Sequence, residues 1–68
     1  MYEPQQLLTE AETAHHIGMS RAWLRLARMR MSGPVYIKLG RSVRYRLQDL
    51  DAYLETHKVK PSARYASV

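Results

Sequence analysis

The 68-residue chain has no cysteine, no phenylalanine, a single tryptophan and only three glycines. Without cysteine there are no disulfides and no thiolate metal sites, which suits a reducing compartment. Apolar residues never run on for the roughly 18–20 positions that a membrane span needs. The opening MYEPQQLLTE has neither the basic segment nor the apolar stretch of a signal peptide. The expectation is a cytoplasmic protein with no membrane partner. Sixty-eight residues suit one domain with a modest core.

Acid is also missing where it matters most. From Arg21 to Arg46 there are seven Arg and one Lys but no Asp or Glu; the acids stand at Glu3, Glu10, Glu12, Asp49, Asp51 and Glu55. The stretch KLGRSVRYR alone carries Lys38, Arg41, Arg44 and Arg46. Like charges this close repel one another, so an anion is expected opposite them. A net charge of +5 and a pI near 10.0 favour a polyanion. No basic helix with a bulky apolar face is present, which weighs against an anionic membrane.

The residues that are present organise into five elements. Thr9 and Glu12 have the spacing of a capping box, with Leu8 packing back on the first turn and Ala11, Ala14 and Ile17 following at helical spacing. Gly18 stops this helix, Met19 is expected to plug inward, and Ser20 caps the next helix. Two helices joined by about three residues cross steeply, as in a helix-turn-helix. The second helix is predicted over Arg21–Met31, with Leu24, Ala27 and Met31 inward and Trp23 at their edge. Arg21, Ala22, Arg25 and Met29 face outward, flanked by Arg28. Ser32, Gly33 and Pro34 end it.

VYIKL and VRYR then alternate with period two, as strands of a hairpin. A three-residue loop, Gly40-Arg41-Ser42, would pair Leu39 with Val43 and Ile37 with Tyr45 on an inner face. It leaves Lys38, Arg44, Tyr36 and Arg46 on a nearly all-cationic outer face. A two-residue loop would oppose Ile37 to Arg44, so the longer loop is preferred. The last helix, LQDLDAYLETHK, presents Leu47, Leu50 and Leu54 as a stripe widened by Tyr53, with Asp49 and Asp51 near its positive end. Leu24, Ile37 and Leu50 are the expected core anchors. Residues 58–68 read as a tail, with Tyr65 and Val68 as anchors for a head-to-tail contact with a neighbouring protomer.

Outward arginines on the second helix of a helix-turn-helix, followed by a cationic hairpin in the position of a wing, point to double-stranded DNA. Lys38, Arg41, Arg44 and Arg46 would face phosphates, with Arg41 at the hairpin tip in reach of a minor groove. Trp23 either packs at the core's edge or lies against the sugar-phosphate backbone. Tyr36 either donates to a phosphate or packs. His15 and His16 point about 100° apart on a helix and do not suit one metal ion. No nucleophile–base pair, Gly-rich phosphate loop or carboxylate cluster is recognisable. No catalysis, cofactor or metal is therefore expected.

Here the chain resembles a family. LLT before the first helix, IGMSRAWL at the turn, GPVYIKLG entering the hairpin, VRYR leaving it and DLDAYL in the last helix fall in one order between Leu7 and Leu54. Together they resemble the small winged helix-turn-helix proteins of the excisionase and AlpA-like group, relatives of the MerR DNA-binding domain. The resemblance implies an α+β fold over residues 1–57, with two N-terminal helices, a β-hairpin wing and a C-terminal helix. It implies that Ser20, Arg21, Ala22, Trp23 and Arg25 face DNA from the recognition helix, and Lys38, Arg41, Ser42 and Arg44 from the wing. Arg28 and Tyr36 complete the candidate DNA-binding set. Two positions depart from the pattern: Ala27, where relatives often carry an aromatic, and Gln48, where they carry a Ser cap.

A phage-type excisionase in a bacterial host cell would bind and bend DNA and redirect an integrase. The alternative is a small transcriptional regulator on the same surface, and a remoter one a protein-interaction module without DNA binding. The short chain tilts the expectation toward the architectural role, with cooperative self-association along DNA.

Overall fold

Thr9 begins the first helix as its spacing predicts. Its hydroxyl accepts from the Glu12 N–H at 3.1 Å, and the Glu12 carboxylate accepts from the Thr9 N–H at 2.8 Å. The helix, α1 (Glu10–Ile17), ends at Gly18, whose φ of 72° is left-handed. Ser20 caps α2 (Arg21–Met29) by accepting from the Trp23 N–H at 3.0 Å. The connection is short, as expected, but Met19 lies 41% exposed rather than plugged inward. These elements belong to a computed structural model that describes residues 6–61. The expected protomer contact at Tyr65 and Val68 lies outside the described residues.

Beyond the two helices come β1 (Leu7–Leu8), β2 (Ile37–Leu39), β3 (Ser42–Arg46) and α3 (Leu47–Thr56). The described residues thus form a small α+β fold, three helices with one antiparallel sheet of strand order β1-β3-β2. The strand β1 was not anticipated. Leu8 buries completely, in a cluster with Ala14 of α1, and is also the partner of Tyr45 across a strand pair. The Leu47 N–H extends that pairing by donating to the Gln6 carbonyl at 3.0 Å.

The core joins five of these elements: Leu8, Ala14, Leu24, Tyr45, Leu47 and Leu50 are buried, with Ile17, Trp23 and Val43 packed against them. Leu24 and Leu50 are core anchors as expected. Ile37 is not: it is only half-buried, although Tyr45, expected on the inner face beside it, is fully buried. The cause is the hairpin register. Ile37 pairs with Arg44, Lys38 with Val43 and Leu39 with Ser42, so the loop is the two residues Gly40-Arg41. Glycine at the first loop position, with φ of 63°, is what a tight two-residue turn demands. A shift of one residue between facing strands moves a whole strand's side chains to the other face. Lys38 therefore shares a face with Val43, while Ile37 and Leu39 share the other with Arg44. The outer face is mixed apolar and cationic instead of nearly all cationic, and Leu39 is 56% exposed.

The end of α2 also differs from expectation. Met31 adopts a left-handed φ of 54° and is 94% exposed, so it contributes nothing to the inward stripe. The chain turns there because the Met31 and Ser32 N–H groups bond back to the Arg28 and Ala27 carbonyls. Gly33 then lies so close to α2 that a Cβ on it would stand 2.7 Å from the Ala27 Cβ. Small residues at both positions allow that approach. In α3, Leu47 and Leu50 are buried but Leu54 is 39% exposed, and the helix ends at Thr56. Its start lacks a side-chain cap; Arg46 instead pairs with Asp49 at 3.2 Å.

These burials set a mutational contrast. Leu24→Ala is expected to destabilise by about 2–5 kcal/mol in urea unfolding. Leu54→Ala, which removes a half-solvated side chain, should cost under about 1 kcal/mol. Equal losses would contradict the assigned inward face of α2.

Candidate nucleic-acid interface

Arg21, Arg25 and Arg28 stand at i, i+4 and i+7 on α2, one above another on a single face. Like charges at that spacing cost a few tenths of a kcal/mol per pair unless an anion sits between them. Glu10 is that anion. One of its carboxylate oxygens, Oε1, accepts from Arg21 Nε at 3.3 Å and from Arg25 Nε at 3.1 Å. The other, Oε2, accepts from Arg28 Nη1 at 2.8 Å. Glu10 is the first residue of α1, where the positive end of the helix dipole also favours a carboxylate.

The Glu10 side chain is 12% exposed. Burial alone would push its carboxyl up. The hydrogen bonds from Arg28 and Arg21, with the charges of Arg25 and Arg28, outweigh burial and hold its pKa below the ordinary 4.5. Burial likewise works against the Arg28 charge, but hydrogen bonds to Tyr45 and Glu10 prevail and keep it protonated.

The same Arg28 nitrogen donates to the Tyr45 hydroxyl at 2.9 Å, and its guanidinium carbon lies 5.8 Å from the centre of the Tyr36 ring. Tyr36 in turn packs on Tyr45 with ring centres 6.2 Å apart. Tyr36 therefore sits on the Tyr45 side of the hairpin, not on the outer face predicted for it. With its side chain 19% exposed, Arg28 forms the floor of the site. Arg21 and Arg25 form its rim, at 57% and 58%.

A groove of about 360 Å³ opens beside this cluster, bounded by Thr9, Glu10 and Ala11 of the α1 start, the α2 arginines, and Arg41 to Arg44 of the hairpin. Five arginines against one glutamate leave its walls with a net charge of +4. Of the residues predicted to face DNA, the groove brings together Arg21, Arg25, Arg28, Arg41, Ser42 and Arg44. Arg44 also donates to the Val43 carbonyl at 2.9 Å, which tethers it to the strand. Ser20 is engaged as a cap, and Ala22 and Lys38 are exposed outside the groove. Trp23 packs against the core and borders a separate recess with Leu26, Ala27, Arg30 and Ser32.

Glu10 lies outside the acid-free window, and the expected partner of the arginines was an external anion, so the sequence reading did not pair Glu10 with them. The signal was available: three stacked like charges on one helix face call for an internal anion, and the first turn of α1 holds two carboxylates.

Two expectations follow from the cluster. Arg28→Ala takes the donor from Glu10 Oε2 and from the Tyr45 hydroxyl, while Arg21 and Arg25 still hold Oε1, and should destabilise by about 1–3 kcal/mol. Arg21→Ala should cost no more than about 1 kcal/mol in the same denaturation experiment, since that pair is largely solvated. The second concerns pH. A carboxyl whose folded pKa is depressed contributes stability that is complete above its unfolded value, near 4.5, and is lost as pH falls through the folded value. The stability gap between wild type and Glu10→Gln should thus be constant above about pH 5 and close in stronger acid. A gap unchanged into acid would mean that the carboxylate charge does not stabilise the fold.

No family model and no curated protein matches this chain.

Proposed function

We propose that the protein binds double-stranded DNA as a winged helix-turn-helix, with α2 as recognition helix and the β2–β3 hairpin as wing. The observation that carries this reading is the groove in which arginines from two separate elements, α2 and the hairpin, line one surface with a large excess of positive charge. A recognition helix enters the major groove with its N-terminal residues toward the bases. Arg21 and Arg25 occupy that part of α2. Arg41, at the hairpin tip, and Arg44 suit the flanking phosphates. Arg28 is the support behind them, since its donors already serve Glu10 and Tyr45.

The biological role proposed is that of an excisionase-type architectural factor, which bends DNA and biases an integrase. It rests on the resemblance of LLT, IGMSRAWL, GPVYIKLG, VRYR and DLDAYL to that group. Among the described residues no helix is long and apolar enough to cross a membrane.

Salt dependence tests the binding. With about four to six phosphates neutralised, log K should fall against log salt with a slope of roughly −4 to −5. Arg44→Ala should weaken binding to all duplexes alike and make that slope shallower by about one. A slope near zero for wild type would defeat the reading.

A further inference from the structure

Glu10 holds its three arginines in two different ways. Arg28 reaches it through Nη1, but Arg21 and Arg25 reach it through Nε alone. The Nη1 and Nη2 groups of Arg21 and Arg25 have no partner among the described residues. A guanidinium is planar and rigid, so a bond at Nε fixes the direction of its far edge. In both residues that edge is the pair of Nη donors, and both side chains are more than half exposed.

What such an edge would take follows from the charge behind it. A phosphate is held mainly by charge, and the Glu10 carboxylate shared by these guanidiniums already offsets part of theirs, which weakens their pull on a second anion. A base edge is neutral and meets no such weakening. Two parallel donors match the O6 and N7 acceptors of guanine in the major groove. We propose that Arg21 and Arg25 each read a guanine through their Nη pairs, and that Glu10 is the positioning residue that sets their angle. This rests on the DNA-binding reading above and deepens it. Four residues along a helix advance about 6 Å, and a base step advances about 3.4 Å. The two guanines should therefore lie within about two base steps of each other.

The test is selection of bound duplexes from a randomised library by the full chain, followed by affinities for the enriched duplex and a scrambled one. Wild type should enrich a motif with two guanines at that spacing. Arg21→Lys and Arg25→Lys keep the charge and lose the fork, so each should erase one guanine preference and weaken the enriched duplex far more than the scrambled one. Glu10→Gln frees the guanidiniums for phosphates. It should bind the scrambled duplex more tightly and lose on the order of tenfold in discrimination. Circular dichroism establishes that each variant is folded; the lysine variants alter solvated rim residues and carry the test if Glu10→Gln does not fold. A motif without guanine, or guanine preferences that survive both lysine substitutions, overturns the inference while leaving DNA binding intact. Wild type that binds no duplex overturns both.

Discussion

The hydrogen bonds of Arg28, at 2.8 Å to Glu10 and 2.9 Å to Tyr45, tie the start of α1, the last turn of α2 and the central strand β3 to one guanidinium. Much else depends on that junction. Tyr45 is fully buried with its hydroxyl satisfied, so β3 can turn only one face to the core. Leu8 and Val43 share that face, which sets how β1 and the hairpin attach. The Tyr36 ring, tilted against Tyr45, lies beside the same guanidinium. Buried ion pairs are costly to form but costlier to break, since the partner left behind stays desolvated. The junction therefore constrains geometry more than it adds net stability.

That constraint also resolves a conflict within the chain. Crowded arginines favour a polyanion but repel one another in its absence. Glu10 offsets part of this repulsion from inside the fold, in a position sheltered from solvent, while the groove keeps a clear positive excess. Arg21 and Arg25 stay mostly in water with their far donors unused. A small domain has little core to set against electrostatic strain, so an internal counter-charge beside the proposed interface serves both stability and order.

The hairpin shows the same coupling at longer range. Its two-residue loop places Ile37 and Leu39 on the face of Arg44, with Leu7 and Arg46 continuing that face across β1. A face of alternating aliphatic and guanidinium groups is less cationic than the strand sequence suggests. Of the hairpin's cations, Arg41 and Arg44 line the groove beside α2, while Lys38 and Arg46 lie outside it.

Local chemistry made much of this legible. The Thr9–Glu12 capping box, the left-handed Gly18 and the Ser20 cap each depend on residues within four positions, and short-range spacing suffices to read them. Leu24 and Leu50 followed from helical periodicity, and the segregation of charge pointed to an arginine-lined surface before any geometry was known. Other features depended on partners far along the chain. Leu7-Leu8 has no periodicity of its own and becomes a strand only because β3 lies beside it. The register of VYIKL against VRYR was ambiguous by one residue, and alternation favoured burying Ile37. Tyr45 faces inward in either register; in the structure the two-residue Gly40-Arg41 turn sets Tyr36, not Ile37, on the Tyr45 side. Glu10 meets Arg28 across 18 positions. Sequence alone determined the helices, their caps and the sign of the surface, because those are set by neighbours in the chain. Tertiary structure decided the sheet's register and the clamp on the arginines, because both require side chains that only folding brings within hydrogen-bonding distance.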